Sequence, residues 1–391
     1  MAARSARIDA LRGFAVFGIL LVNIWGFVYG FALLRYPSAT GAMTLADQVI
    51  VFFVTAFAEQ KFYPIFSFLF GAGFVLQTGG RRTPGAALDA VRARYLRRVR
   101  WLLACGVVHG TLIWFGDILT SYALLGFWLV QFAGRRLSSL WRALWILVAL
   151  NAVILVLYGV MVVDAADLSL QEGVAALYSA QYTHALYTQG DWMDVARQRL
   201  GDYLATLSVG WIILPRIALL FMLGVVAARM GCLTRPRRQR RFWRAVGLLA
   251  LCVGLPLNLW AAAGTVGAAL HPFAVPPWAG LASALQEVAG PLLGAGYVAA
   301  FMLARGTLAA WLVPVGRMAL SNYLMQSLLL MLVLQGCGFG LGKVLSYTGL
   351  MLLATAIVAL QILFSHWWMA RHAMGPVEAW WRTYTKREAK L

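Results

Sequence analysis

The sequence predicts an all-α fold, a polytopic transmembrane helical bundle of about ten spans, and three observations carry that reading. Apolar residues make up 62% of the 391-residue chain and charged residues 12%, where a soluble domain carries about 25% charged residues. Apolar runs close to the roughly 20 residues needed to cross a bilayer recur along the whole length. The basic residues behind the formal net charge of +19 are gathered in short clusters between those runs, at residues 4–12, 81–100, 135–142, 229–244 and 371–390. That distribution follows the positive-inside rule rather than a nucleic-acid-binding stripe. The runs are too long and too continuously apolar for barrel strands, so helices must satisfy the backbone in lipid.

If every basic cluster is cytoplasmic, the spans come in pairs and both termini lie in the cytoplasm. Helix 1 is predicted over 8–31. The next apolar stretch, 45–75, is interrupted by Glu59, Gln60, Lys61 and Pro64. It reads as an amphipathic or half-inserted helix followed by a span over 62–76, because charge is costly on a lipid-facing helix; two full spans would place Arg81 outside. Spans follow at 99–115, at 118–132 after a Gly116-Asp117 turn, and at 144–163. Residues 164–205 form an external loop with six acidic residues against Arg197 and Arg199, and its apolar content suggests one or two short interfacial helices. Spans at 204–228, 245–263, 281–303, 312–334 and 347–369 complete the count. The outer connection between the seventh and eighth holds His271 to Pro277. Tryptophans such as Trp25, Trp128 and Trp367 fall near span ends, as aromatic belts do. The chain reads as a single membrane domain, 1–391, without a cleavable signal segment. Its four cysteines lack the spacing of a disulfide framework or a zinc site.

Intramembrane polar residues are expensive and mark function or obligatory pairing. In helix 1, Asp9 and Arg12 are three apart, as an ion pair on one face requires. The alternative is a cap partner and a cytoplasmic anchor. Asn23 extends the polar path along that helix. Glu59 and Lys61 either pair with each other or with Asp47, or face an internal cavity as a candidate base and an electrostatic clamp. His109 and Asp117 are eight residues apart, which on a continuous helix places them about 12 Å apart. That is too far for a direct pair, but with water or substrate between them His109 can act as general base while Asp117 orients a donor. A structural histidine and a helix cap are the plainer readings. Arg317 and Ser321, with Asn322 and Gln326 on a neighbouring face, form a polar stripe in the ninth span. Arg317 can hold an anion there or neutralise Glu287 or Asp117. Arg216 has the same two readings, and Glu287 needs a partner in any of them. No cluster has metal-ligand spacing.

The opening RIDALRGFAVFGILLVNI, the block KFYPIFSFLFGAGF, the block HGTLIWFGDILTSYAL and the later VGRMALSNYLMQS and SHWW…GPVE segments resemble the YeiB-like family of bacterial inner-membrane proteins over nearly the whole chain. Through Asp9, Arg12 and Gly13, and the TLADQVI start of the second helix, the family resembles a wider group of membrane acyltransferases. That group includes the lysosomal heparan glucosaminide acetyltransferase and bacterial sugar O-acyltransferases. The resemblance implies acyl transfer. The lysosomal enzyme's group is associated with a catalytic histidine in the loop after helix 1, whereas residues 32–44 here contain none, so His109 would have to supply the base from another helix.

The functional expectation is therefore a transmembrane acyltransferase. It would move an acyl group, most simply acetyl, from acyl-CoA to a hydroxyl or amine of an envelope glycan, lipid or small molecule. The basic inner face from Arg92 to Arg100 and from Arg235 to Arg244 would draw the donor's phosphates, His109 would act as base, and Arg317 or Asn322 would stabilise the oxyanion. The alternative is transport of a small anionic or amphipathic solute. No tightly bound cofactor is expected. The expected partners are membrane lipid and the substrates, with small-residue faces compatible with a homodimer, and the expected location is the bacterial inner membrane.

Overall fold

The computed structural model describes residues 6–30, 43–78, 85–164, 170–270, 277–304 and 310–387. The segments expected to be the first loop (31–42) and the connection between the seventh and eighth spans (271–276), and the Arg81-Arg82 pair, lie outside these. Every regular element among the described residues is a helix, and the chain is an all-α, multi-pass membrane protein. Six helical segments among them are long and apolar enough to cross a bilayer: 6–29, 45–78, 137–160, 212–229, 240–270 and 347–369. Two shorter apolar segments, 119–132 and 319–334, join them.

Helix α1 (Ala6–Tyr29) is the hub. Two-thirds (67%) of its most apolar window is buried inside the protein, against 11% for α6 (Leu137–Asp164), which turns its apolar surface to lipid. Small residues set how closely the hub's neighbours approach. Gly13 of α1 and Gly316 of α13 (Leu312–Arg317) lie against each other's backbone, and a methyl at position 316 would overlap the Asp9 carbonyl oxygen. Gly316→Ala is therefore expected to cost about 3 kcal/mol through overpacking, measured as a lowered melting midpoint of the detergent-purified protein. In the same way Gly71 of α3 (Phe62–Thr78) meets the Phe221 carbonyl of α9 (Gly210–Arg229), while Gly224 of α9 meets that of Phe68.

The apolar stretch after helix 1 is two helices, α2 (Leu45–Phe57) and α3, separated by a turn in which Gln60 has φ 62°. Thr44 and Asp47 form a reciprocal capping box at the start of α2. Asp47 Oδ1 also accepts from Thr348 N and Oγ1 at 3.0 and 2.9 Å, tying α2 to the first turn of α15 (Tyr347–Met369). The TLADQ segment is thus a helix start with a tertiary tie.

Helix α4 (Gly85–Leu112) starts well before the expected 99, with its basic residues on a helical stem. It forms a hairpin with α5 (Leu119–Leu129). Helices α7 (Leu170–Gln189) and α8 (Trp192–Ser208) pack across the tip of that hairpin and the end of α1. Arg199 of α8, fully buried, donates to the Leu112 carbonyl and to Gln335 Oε1, and Tyr203 packs over Gly110.

Two expected spans are interrupted. The 204–228 span breaks at Val209, where α8 hands over to α9, and the 312–334 span breaks at Met318, between α13 and α14 (Ala319–Leu334). By contrast, α10 (Arg240–Leu249) runs on through a π-turn at Ala250–Gly254 into α11 (Leu255–Leu270), packed on α12 (Pro277–Leu303). The chain closes with α16 (Pro376–Arg387), which docks on α4 and α14.

Candidate active site

His109 and Asp117 are in direct contact, His109 Nδ1 to Asp117 Oδ1 at 2.9 Å, with both side chains at most 1% exposed. This corrects the expected separation of about 12 Å, which assumed helical rise across all eight residues. Helix α4 stops at Leu112, the 113–118 turn folds back with Trp114 N bonding the His109 carbonyl, and Asp117 is carried beside the ring. Asp117 Oδ2 accepts from Thr120 N at 2.8 Å and Thr120 Oγ1 at 2.9 Å, and Thr120 Oγ1 lies 3.0 Å from the Tyr203 hydroxyl. A carboxylate fixed in this way holds the imidazole proton at Nδ1 and leaves Nε2 as the acceptor. That Nε2 is buried and has no hydrogen-bond partner among the described residues.

A cavity of about 770 Å³ lies between α1, α3, α4, α5, α14 and α16. Its inner end carries Ile118, Leu119, Tyr122 and Tyr323. Tyr323 also packs on the His109 ring, centroids 5.1 Å apart, which sets the dyad directly behind the cavity wall. Its other end carries Arg12, Arg94, Arg98, Arg317 and Arg382 with Glu378. Arg98 and His109 share α4, and eleven residues of helical rise separate them by about 16 Å. The cavity therefore joins a cationic mouth to an aromatic interior. Asp9 pairs with Arg12 at 3.3 Å, as their spacing predicts.

The remaining candidates fall elsewhere. Glu59, Lys61, Arg216 and Glu287 gather where the α2–α3 turn meets α9 and α12. Lys61 Nζ donates to Thr55 O at 2.6 Å and faces Glu59, and Gln60 Nε2 donates to Glu287 Oε1 at 3.0 Å. Arg216 forms an ion pair with Glu287, so Glu287 is neutralised by Arg216 and not by Arg317. None of these four lines the cavity, and neither does Asn23, half-buried on α1.

Because the helix breaks at Met318, Arg317 and Ser321 lie on separate helices. Arg317 donates to Ala373 O at 2.9 Å from the cavity mouth. Ser321 Oγ is engaged by Glu378 at 2.5 Å. Asn322 binds Val315 O and Ser365 Oγ, stitching the break to α15, and Gln326 is buried with an unpartnered Oε1. Outside the spans, His184 stacks on Tyr29, and burial pushes its imidazole below its usual pKa. Among the described residues no three His, Cys, Asp or Glu side chains converge as metal ligands would.

Sequence reasoning missed Thr120 and Tyr203 behind Asp117, Arg382 at the mouth, and Glu378; of the two basic runs expected to draw the donor's phosphates, 92–100 supplies Arg94 and Arg98 to the cavity and 235–244 supplies none. The signal for Glu378 was present: Gly375-Pro376 before an acidic residue in a first turn is a helix start, and Gly375 leaves just the room its carboxylate needs.

Comparison with known proteins supplies the family. Over 97% of its length the chain is 30% identical to protein YxaH of Bacillus subtilis (strain 168), covering 93% of that protein. The chain belongs to the DUF418/YeiB-like family. It is also 29% identical to YeiB of Escherichia coli (strain K12), over 99% of this chain and 97% of that protein. A 39.9 kDa protein encoded in the amylase 3′ region of Bacillus acidopullulyticus is 29% identical over 98% of this chain and 94% of its own length. Residues 227–388 match the family described as "Protein of unknown function (DUF418)". In this DUF418 segment lie Arg317, Ser321 and Glu378, while the dyad precedes it. No solved structure matches the chain.

Proposed function

We propose that this protein is a transmembrane acyltransferase that takes an acyl group, most simply acetyl, from acyl-CoA. The acceptor is a hydroxyl or amine of an envelope glycan, lipid or small molecule. The observation that supports this most strongly is the buried His109–Asp117 dyad, with Nε2 unpartnered, at the inner end of a cavity whose mouth is lined by arginine. The donor's phosphates sit among the arginines and its narrow thioester arm runs along the aromatic wall, with Tyr323 turning aside for the acyl group. His109 Nε2 takes the acceptor proton as the acceptor attacks the thioester carbonyl, and returns it to the thiolate as the C–S bond breaks. Asp117 stabilises the imidazolium between these steps. In this reading the resemblance to the acyltransferase group reflects shared chemistry with the base moved to α4.

The chain then crosses the bacterial inner membrane ten times. Single crossings are made by α1, α4, α5, α6, α9, α12 and α15, and one each by α2 with α3, α10 with α11, and α13 with α14. Both termini and α16 are cytoplasmic, and α7 and α8 lie outside. A homodimer through the small-residue faces fits this arrangement.

Transport of an anionic amphiphile is the second reading, favoured by the helix interruptions at 58–61 and 318, since discontinuous helices build transporter sites. Calorimetric titration of acetyl-CoA into the purified protein, with free CoA and adenosine 3′,5′-bisphosphate as comparators, separates the two. Saturable binding that weakens in Arg98→Gln or Arg317→Gln supports the acyltransferase. No binding at millimolar donor, in folded protein, overturns it and directs the next test to proteoliposome flux.

A further inference from the structure

The hydrogen-bond directions behind Asp117 follow from the donor and acceptor inventory of each group. An ionised carboxylate only accepts. Thr120 N and Thr120 Oγ1 both donate to Asp117 Oδ2, at 2.8 and 2.9 Å. A threonine hydroxyl carries one hydrogen, and here it is directed to the carboxylate. The Tyr203 hydroxyl, 3.0 Å from Thr120 Oγ1, is therefore the donor in that contact. The chain runs from Tyr203 through Thr120 to Asp117, whose other oxygen faces His109 Nδ1 at 2.9 Å. Every hydrogen in it points toward the carboxylate, and bonds in such a chain polarise and strengthen one another.

Tyr203 belongs to α8, none of whose residues lines the cavity. The fold makes room for it at the dyad. Gly110, the residue after His109 on α4, lies under the Tyr203 ring, and a methyl at that position would overlap the ring edge. One turn earlier on α8, Arg199 donates to the carbonyl of Leu112, the last residue of α4, and so fixes the tip from which the 113–118 turn departs. Thr120 and Tyr203 are each 4% exposed, so the chain is shielded from solvent.

We infer that Tyr203 is a positioning residue for the dyad, acting through Thr120 to keep Asp117 turned so that His109 holds its proton at Nδ1 and presents Nε2 as the base. The inference deepens the acyl-transfer reading and rests on it for any effect on rate. Without the Tyr203 hydrogen, the Thr120 hydroxyl is free to turn to a backbone carbonyl of its own helix. The carboxylate then loses one of the two bonds that stop its rotation, and the imidazole is no longer held in one tautomer. A helix remote from the cavity thereby sets the state of the base.

The test compares full-length wild type in detergent with Tyr203→Phe, Thr120→Val, Thr120→Ser and the double variant Tyr203→Phe with Thr120→Val. Tyr203→Phe keeps the ring over Gly110 and removes the donor. It is expected to lower kcat for transfer from acetyl-CoA about tenfold and to leave KM for the donor unchanged. Thr120→Val is expected to fall at least as far, and Thr120→Ser, which restores the hydroxyl, to recover most of that loss. Because the two groups act in series, the double variant is expected to be no slower than Thr120→Val, whereas independent effects would multiply. The second readout needs no turnover. The nitrogen-15 signals of the His109 ring, identified by their loss in His109→Gln, are expected to show one neutral form protonated at Nδ1 in the wild type and a mixture of tautomers in Tyr203→Phe. That mixture, in protein that transfers no acyl group even as wild type, upholds the positioning and overturns the acyl-transfer reading. An unchanged tautomer in folded Tyr203→Phe, or losses that multiply in the double variant, overturns the positioning and leaves acyl transfer standing. An Nε2-protonated ring in the wild type overturns both. If Tyr203→Phe does not fold, the same spectrum of Thr120→Val, in which the ring stays and the chain is cut, decides the matter.

Discussion

Asp117→Asn is expected to lower the rate of acyl transfer about 10³-fold in protein that still folds. The expectation follows from which atoms the carboxylate serves. Oδ1 faces His109 Nδ1, and Oδ2 accepts from both the backbone N–H and the hydroxyl of Thr120. An asparagine amide has one acceptor and one donor end. With its oxygen toward Thr120, its NH₂ faces Nδ1 and forces the proton onto Nε2, which abolishes the base. With its oxygen toward His109, two donors meet at Thr120 N, at a cost of about 1–3 kcal/mol for an unsatisfied buried group. Release of CoA thiol and the melting midpoint, measured on the same preparation, check both halves. A rate within tenfold of wild type would mean that His109 is not the base.

Arg216→Ala is expected to destabilise the protein by about 3–5 kcal/mol, because it strands a charge that the fold has taken out of water. The Arg216 and Glu287 side chains are 16% and 15% exposed, and with Arg216 gone Glu287 keeps, among the described residues, only the Gln60 amide. Neutralising the survivor should recover most of the loss, so Arg216→Ala with Glu287→Gln is expected to melt well above the single variant. The measurement is a melting series in one detergent. Equal midpoints for single and double variants would show that the pair is not coupled. The cluster lies away from the cavity, so donor binding per folded molecule should be unaffected by either change.

The all-α, multi-pass character was legible because its cause is local. Apolar run length and the placement of arginine report what lipid demands of each segment, and the Asp9–Arg12 pair follows from a three-residue spacing on one helix. The Glu59–Lys61 interruption likewise announced the turn between α2 and α3. What the sequence hid was set by tertiary partners. The His109–Asp117 contact was missed because helical rise was carried through a segment already read as a turn at Gly116-Asp117. Once α4 ends at Leu112, eight residues return to the ring instead of travelling along the axis. The break at Met318 has no proline or glycine at the break itself. The new helix start is capped by Glu378, 58 and 57 residues away from the Leu320 and Ser321 amides it accepts. The buried role of Arg199 depends on Leu112 and Gln335, which no local pattern in the acidic 164–205 segment discloses.

The central claim, acyl transfer by the buried dyad, is tested most directly by incubating labelled acetyl-CoA with purified wild-type protein and His109→Gln in the presence of an envelope extract. CoA thiol release and label in the acceptor fraction are followed together, with donor binding measured alongside. The account expects the wild type to release thiol and label acceptor in equal amounts, and His109→Gln to bind the donor as the wild type does and transfer nothing above background. Transfer by His109→Gln at the wild-type rate, or donor binding by the wild type with no thiol release under any acceptor fraction, would contradict it.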